Sequence, residues 1–433
     1  MTEQVGDESS TRHPFLEFGS GPLADVDLTS PRLHAERDLS DVWGMLRERQ
    51  PVAWHPTTGG GFWVVSSYSA AAEVYRNSEV YTSSRGNVLA MLLAGGDPAG
   101  GKMLPVSDGP RHQQIRRVLM RALTPRALTG LAERVRLATV RLVREAVESG
   151  DCDLGRDVVP YLPLAVICDL LMVPEDDREL LLTQSKLALA SEDPDGTEFD
   201  ARLARNEILL YFAKLARSRQ DQPGDDILGL LIQMTRSEVA LTSQELLYNA
   251  YSILLGGDET TRLSMIGAAH ALTQWPDEWN RLKTGAVPVE TAVEEFLRWT
   301  TPTLHAGRTA TSDTTLGGRH IARDDIVTVW NSSANFDPRQ FDDPARLRLD
   351  RTPNRHLSFA VGAHFCLGAQ LARIELGALV GALVETADGI ELTGEPKRLY
   401  SNFLSGFTRL PVRFEAAARD RQPSNQAEKE EVR

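Results

Sequence analysis

Cysteine is scarce in this chain. The 433 residues include three cysteines, Cys152, Cys168 and Cys366, and their spacing shows no paired pattern. Small extracellular scaffolds depend on many paired cysteines, so the count excludes a disulfide-stapled secreted domain. It also indicates a reducing compartment, and we therefore expect the protein in the cytoplasm.

Positive charge and a long apolar leading segment are also lacking. Lys and Arg number 47 against 60 Asp and Glu, which gives a net charge of −13 at pH 7. This sign disfavours a nucleic acid partner, since proteins that bind nucleic acid carry a basic surface. The first residues, MTEQVGDESSTRH, are polar and contain no signal peptide or membrane anchor. We expect neither nucleic acid binding nor membrane association.

No internal repeat divides the chain, and no Pro/Gly/Ser-rich linker interrupts its middle. Hydrophobic residues make up 42% of the chain, which is enough for a substantial core. We therefore predict one large, mostly helical domain over residues 20–415. The terminal segments 1–19 and 416–433 are polar or charged, and we predict that both are disordered.

Apolar periodicity and turn residues predict the main elements. Helices are predicted over residues 35–48, 67–77, 108–125, 241–275 and 289–302, and another follows Gly368. Two short strands between residues 51 and 67 predict a hairpin, and further short strands are predicted over 308–331 and 400–414. Residues 82–107 are Gly-rich and irregular, and loops of that length are usually functional or disordered.

The stretch FAVGAHFCLG, residues 359–368, holds one cysteine at the start of a predicted helix. Backbone N–H groups and the helix dipole favour a thiolate there, as a metal ligand requires. Gly362 and Gly368 would let the backbone turn and approach a flat cofactor closely. Phe359 would shield the sulfur from water. The alternative is that Cys366 is a small hydrophobic residue buried in the core.

Two helices carry polar side chains that need an explanation. His112 and Arg116 are four residues apart, so they share a helix face that could grip a carboxylate or be a solvated basic face. The apolar helix over 241–275 contains Gly256-Gly257 and then Asp258, Glu259 and Thr260. Buried polar groups need partners or a function. The alternative is a helix kink, with hydroxyls bonded to carbonyls one turn earlier.

Five blocks, in order, resemble the motifs of the cytochrome P-450 family. They are HQQIR (112–116), GGDET (256–260), EFLR (295–298), ANFDP (334–338) and the cysteine stretch F-x-x-G-x-H-x-C-x-G (359–368). The resemblance covers roughly residues 20–415. It implies a mainly α fold with small β-sheets, in which a helix-rich, triangular single domain buries a haem.

The resemblance also implies roles for individual residues. Cys366 would be the axial ligand of the haem iron, with Phe359 and Gly368 against the haem. The haem propionates would be held by His112, Arg116, Arg308, His356 and His364. Gly257 would leave a groove for dioxygen, Thr260 would hydrogen-bond the activated oxygen, and Glu259 would relay protons. Glu295 and Arg298 would form a buried structural pair with Arg351. The substrate pocket would be lined by Leu304, His305, Asn402, Phe403 and Leu404.

The function implied is that of a haem-thiolate monooxygenase. It would contain haem b, use O2, and take electrons originating from NAD(P)H through a ferredoxin and a ferredoxin reductase. Exposed Arg117 and Arg121 are candidates for docking an acidic redox partner. The substrate would be a mainly apolar small molecule, either free or carrier-bound, from secondary metabolism, and the enzyme would be a monomer. Alternatives are oxidative coupling, desaturation or peroxide-driven oxidation, and a non-catalytic haem-binding protein.

Overall fold

The computed structural model describes residues 16–189, 197–238 and 240–417. Its helices are α1 (Pro31–Glu36), α2 (Ser40–Arg49), α3 (Tyr68–Arg76), α4 (Leu89–Leu93), α5 (Gly109–Leu119), α6 (Pro125–Ser149), α7 (Tyr161–Leu171), α8 (Arg178–Leu189), α9 (Glu198–Ser218), α10 (Ile227–Met234), α11 (Ser243–Gln274), α12 (Pro276–Lys283), α13 (Val289–Thr300), α14 (Asn331–Ala334) and α15 (Ala369–Thr386). The expectation of a mainly helical chain is confirmed.

The strands are short and form small sheets. They are β1 (Val52–Thr57), β2 (Gly60–Val65), β3 (Tyr81–Thr82), β4 (Asp151–Asp153), β5 (His305–Ala310), β6 (Thr314–Leu316), β7 (Arg319–Ile321), β8 (Ile326–Trp330), β9 (Ala387–Leu392), β10 (Lys397–Arg398), β11 (Phe407–Arg409) and β12 (Pro411–Ala416). The largest sheet has the order β1-β2-β8-β5-β3, and β4-β12-β9 form a second. The predicted hairpin is confirmed as β1–β2, paired antiparallel with Trp54 opposite Trp63.

Helix α11 runs through the core. Its start is fixed by a capping box, in which Thr242 accepts from the Glu245 N–H and the Glu245 carboxylate accepts from the Thr242 N–H. Its N-terminal half packs among α7, α9 and α10, and its C-terminal half packs among α13 and α15. A helix apolar nearly all round is stable only when buried on most sides, as this one is.

Three predicted boundaries differ from the structure. The helix predicted over 35–48 is two helices, because the Asp38 carboxylate accepts from the N–H and hydroxyl of Ser40 and starts α2. Helix α5 ends at Leu119, before the predicted 125. Residues 400–404 form no strand, since the Ser401 hydroxyl accepts from the N–H groups of Phe403 and Leu404 and closes a local turn.

The inner ends of the predicted disordered segments are ordered. Leu16 and Phe18 are buried and pack in the cluster that contains Trp43. Ala417 is buried, and its N–H donates to the Thr386 carbonyl. Residues 1–15 and 418–433 lie outside the described residues. Among the helices that the structure describes, none is both long and apolar enough to cross a bilayer.

Candidate active site

A large cavity lies where α11, α5, β5 and the segment before α15 meet. Its volume is about 320 Å³. Ligand pockets commonly measure about 300–1,000 Å³, so the cavity has the size of a ligand-binding site. Its walls are mostly apolar, with Ile167, Ile253 and Ala306 among them.

Cys366 opens onto this cavity, unlike the other two cysteines. Its backbone N–H donates to the Phe359 carbonyl at 2.9 Å, which folds the segment back on itself before α15. Burial raises the pKa of the Cys366 thiol, while the Gly368 N–H, Arg116 and Arg373 act to lower it. Burial and nearby acids raise the pKa of both Cys152 and Cys168 to about 12. Arg178 acts to lower the pKa of Cys168, but Cys168 does not line the cavity. Only Cys366 therefore combines cationic neighbours with open space, as a thiolate ligand needs.

The glycines around Cys366 have different physical roles. Gly362 has φ +80°, and a Cβ there would lie 2.7 Å from the Tyr75 carbonyl oxygen, so no larger residue fits. Gly368 lines the cavity, and a Cβ there would meet no atom within 4 Å. The backbone at Gly368 thus borders space that a flat cofactor could occupy.

A cluster of cationic and imidazole side chains lines the same cavity: His112, Arg116, Arg308 and His364. Arg308 is 4% exposed; its guanidinium donates to the Gly307 carbonyl at 2.7 Å and lies 5.5 Å from the Tyr75 ring centroid. In the described part of the chain, neither Arg116 nor Arg308 forms an ion pair with an acid. Burial lowers the pKa of both arginines. Burial, His364 and Arg116 lower the pKa of His112 to about 4.

Buried cations without acidic partners are costly, which makes them a site for an anionic ligand. The two propionates of haem would supply the missing charge. A haem with a cysteine ligand fits three features together: the thiol that opens onto the cavity, the backbone without a side chain at Gly368, and this cation cluster.

Helix α11 contributes Gly256, Gly257 and Thr260, among other residues, to the cavity wall. The Thr260 hydroxyl donates to the Gly256 carbonyl one turn earlier, at 3.0 Å. A Cβ at Gly256 would meet no atom within 4 Å, whereas at Gly257 it would lie 2.6 Å from Ile167 Cδ1. Gly257 also lines the cavity, and its lack of a Cβ lets α11 pack against α7, while the space free of other atoms lies at Gly256. That Gly257 leaves a groove for dioxygen stays a prediction.

Glu259 and Asp258 point away from this wall. Glu259 is 2% exposed and forms an ion pair within α11 with Arg262, whose Nε donates to its carboxylate at 3.1 Å. Neither acid is among the described residues that line the cavity. The buried Asp258 faces Cys168 of α7 and Glu375 of α15, and its charge helps to raise the pKa of both. A relay role for Glu259 would thus require the pair with Arg262 to open.

A buried ion cluster lies beside the cysteine segment. Glu295 accepts from Arg298 Nε at 2.8 Å and from Arg351 Nε at 3.0 Å. Two donors that the sequence did not indicate, the Arg348 N–H and Asn354 Nδ2, complete the shell at 3.0 Å each. Arg298 also donates to the carbonyl of Asn335 at 2.9 Å, joining α13 to the chain that leads to Cys366.

His356 lies beside Glu294 of α13. Its Nε2 is 3.4 Å from the Glu294 carboxylate but has no hydrogen-bond partner among the described residues, and its Nδ1 accepts from the Ser358 N–H at 3.3 Å. His356 is not among the described residues of the cavity wall. Its assignment to a propionate therefore stays a prediction.

The five residues predicted to line the substrate pocket are not among the described residues of this cavity wall, so that role stays a prediction. These residues are Leu304, His305, Asn402, Phe403 and Leu404. The cavity wall instead includes their neighbours Pro302, Thr303, Ala306 and Arg308. Alternate residues of a strand face opposite sides, so Ala306 and Arg308 of β5 face the cavity and His305 faces away. The His305 ring packs 4.9 Å from that of Trp330, and its Nε2 accepts from the Leu89 N–H at 3.1 Å. Asn402 donates to the Thr29 carbonyl at 2.6 Å.

Comparisons with known proteins agree with this geometry. Residues 288–415 match the family model described as "Cytochrome P450". "Cytochrome P450 NovI" of Streptomyces niveus is 42% identical over 394 residues, which are 90% of this chain and 97% of that protein. A "Steroid C26-monooxygenase" of Rhodococcus jostii is 33% identical over 96% of this chain and 88% of its own length. The crystal structure of P450 OxyD, described as involved in the biosynthesis of vancomycin-type antibiotics, superposes with a TM-score of 0.83 at 36% identity over 90% of this chain and all of OxyD.

The chain therefore belongs to the cytochrome P-450 family, and it is a monooxygenase of that family. Membership implies haem iron and molecular oxygen as its working components. The predicted cytochrome P-450 fold is confirmed.

Proposed function

We propose that this enzyme binds haem b with Cys366 as the axial thiolate and hydroxylates or epoxidises a mainly apolar small molecule. The observation that carries the proposal is that Cys366 opens onto the same cavity as Arg116 and Arg308, two cations without acidic partners in the described chain. When bound, the haem iron supplies the O2 activation that side chains cannot perform.

The chain's own residues would orient the cofactor through charge. The propionates would be bound from three parts of the cavity wall: by His112 and Arg116 of α5, by Arg308 of β5, and by His364. Phe359 would cover the sulfur side, where its ring also contacts the Arg373 guanidinium at 4.8 Å. Apolar walls would exclude water from the thiolate and strengthen these charge interactions.

Proton delivery would depend on Thr260 and Glu259. The Thr260 hydroxyl lies on the cavity wall and donates to the Gly256 carbonyl, so it would hold a proton at the edge of the cavity. Glu259 is the next residue along the chain and would resupply that proton when its pair with Arg262 opens. Both residues favour oxygen- and electron-dependent hydroxylation over coupling, desaturation or peroxide-driven oxidation.

The substrate would be an intermediate of secondary metabolism, free or carrier-bound. Support comes from the antibiotic biosynthesis in the description of OxyD, which is 36% identical to this chain. The apolar cavity wall fits a largely uncharged molecule. Electrons from NAD(P)H would arrive through a ferredoxin reductase and a ferredoxin, an acidic protein suited to the exposed Arg117 of α5 and the exposed Arg121 just after that helix.

The test is spectroscopic and uses Cys366→Ala. The protein is expressed with 5-aminolevulinate, purified, reduced and exposed to carbon monoxide. The wild type is expected to show the red-shifted Soret band of a thiolate-ligated haem, and the Ala variant is expected to lack it. A colourless wild type would refute the cofactor assignment. Turnover of a library of natural-product scaffolds, with and without a ferredoxin and its reductase, then tests the electron route.

A further inference from the structure

Asp108 is a partly buried carboxylate that contacts His364 of the cavity's cation cluster, and no sequence motif assigns it a role. It precedes α5, and its side chain is 18% exposed. The carboxylate accepts from His364 Nε2 at 2.7 Å. It also accepts from the Ser83 N–H at 2.8 Å, the Ser84 N–H at 3.1 Å, and the hydroxyls of Ser83 and Thr82.

These contacts connect the three segments that carry the cation cluster. Asp108 starts α5, which holds His112 and Arg116. Thr82 belongs to β3, which pairs with β5 through Thr82 opposite Thr309, beside Arg308. His364 precedes Cys366 by two residues. One carboxylate thus joins segments that are distant in sequence and that each contribute a cationic group to one cavity.

Asp108 does not serve as an ordinary helix cap. Its side chain accepts no hydrogen bond from the first turn of α5, the usual reason for Asp at such a position. Its acceptor capacity is used on β3, the residues after it and His364 instead. The contact fixes His364 by one ring nitrogen, and the structure gives the other ring nitrogen, Nδ1, no partner among the described residues.

We propose that Asp108 is a positioning residue for the cofactor: it holds α5, the β3–β5 edge and the cysteine segment at the separation that haem requires. It acts through His364 and the backbone rather than by touching the haem. The inference rests on the proposed function, since it needs a haem bound by Cys366.

The experiment compares Asp108→Asn with a matched control, Asp153→Asn. Asp153 also joins distant segments, accepting from Arg409 Nε at 2.7 Å and the Leu410 N–H at 2.8 Å, but it lies outside the cavity wall. An Asn side chain keeps the shape and replaces one acceptor oxygen by a donor. The rate of haem transfer from each holoprotein to excess apomyoglobin is measured.

Asp108→Asn is expected to release haem about 10-fold faster than the wild type, the low end of the effect of groups that orient metal-site ligands. Asp153→Asn is expected to stay within about twofold, although it loses comparable hydrogen bonds. Equal rates for the two variants would overturn the proposal. A colourless wild type would instead refute the proposed function, so the two failures are distinguishable.

A double-mutant cycle with His364→Ala tests whether Asp108 acts through His364. If it does, Asp108→Asn in the His364→Ala background should add less than its single effect, whereas additive effects contradict that part of the proposal. Ser83→Ala removes a single hydroxyl contact and should accelerate haem release in the same direction by a smaller factor. It also serves as the milder variant if Asp108→Asn does not fold, and an unchanged rate for Ser83→Ala would then count against the proposal.

Discussion

Two sides of the cavity differ in what determines the position of their residues: the cysteine side, which includes Gly362 and Glu295, and the substrate side, which includes Thr303 and Ala306. On the cysteine side, Gly362 is fixed by a backbone approach, and Glu295 is fixed by four donors. On the substrate side, Thr303 and Ala306 reach the wall only because of where β5 begins and which face it turns inward. The positions on the cysteine side therefore follow from the chemical nature of the residues, whereas those on the substrate side follow from the register of β5.

The difference matters for stability as well as for prediction. The ion cluster around Glu295 has buried charges of both signs, whereas Arg116 and Arg308 have no acidic partners in the described chain. The cysteine side is thus complete without a ligand. In the part that meets the propionates, Asp108 pairs with His364 but leaves Arg116 and Arg308 unpaired among the described residues, so an anionic ligand would complete it, a pattern expected of binding sites.

The largest effect is expected from Glu295→Gln. This change leaves Arg298 and Arg351 buried with one carboxylate fewer, and removing one partner of a buried pair typically costs about 3–5 kcal/mol. The unfolding free energy, measured by denaturant titration, is expected to fall by that amount. The matched control is Glu36→Gln in the exposed pair with Arg32, which should cost below about 1 kcal/mol. Similar losses of unfolding free energy in both variants would contradict the expected difference between the buried Glu295 cluster and the exposed Arg32–Glu36 pair.

Particular residues show how far the sequence can predict this molecule. Cys366 and the Glu295–Arg298 pair could be assigned because their spacing is local and their chemistry is specific. The orientation of His305 could not be predicted, since a shift of one residue along a strand moves a side chain from one face of the sheet to the other. The composition of PTLHAG does not fix that register. Asp108 was missed because its partner His364 lies 256 residues away, beyond any local pattern.

The burial of His305 yields a test by pH. Burial, together with neighbouring His34, lowers the pKa of His305 to about 3, so the folded ring stays neutral. Above about pH 6.5 both folded and unfolded rings are neutral and the stability is at its full value. As the pH falls toward 3, the unfolded chain binds a proton that the folded ring refuses, which costs about 1.4 kcal/mol per pH unit. At pH 5 the loss is about 2 kcal/mol.

Replacement by Gln keeps an acceptor for the Leu89 N–H and removes the titration. The unfolding free energy of His305→Gln, measured between pH 7 and 5, should therefore fall less steeply than that of the wild type. The control is His320→Gln at an exposed position of β7, which should follow the wild type. Parallel curves for the wild type and His305→Gln would show that His305 is protonated in the folded protein.

Thr260→Ala separates oxygen chemistry from haem binding. The variant loses the hydroxyl on the cavity wall but keeps the cysteine side intact, so haem content should be unchanged. Product formed per electron pair is expected to fall about 10-fold, a modest loss for a general-acid step, with the electrons recovered as hydrogen peroxide. Thr260→Ser restores the hydroxyl and should restore most of the coupling. An Ala variant that remains fully coupled would remove Thr260 from proton delivery.

The smallest and most local test compares the two adjacent glycines of α11. Ala is favoured over Gly inside a helix by about 0.5–1 kcal/mol, and a Cβ at Gly256 would meet nothing within 4 Å, so Gly256→Ala should stabilise the protein by about that amount. Gly257→Ala places a Cβ 2.6 Å from Ile167 Cδ1, so overpacking should cancel the gain. Thermal unfolding measures both. Because Gly256→Ala also fills the space beside Thr260, its stability gain should be accompanied by weaker O2 binding in stopped-flow measurements. If Gly257→Ala weakens O2 binding and Gly256→Ala does not, the groove lies at Gly257.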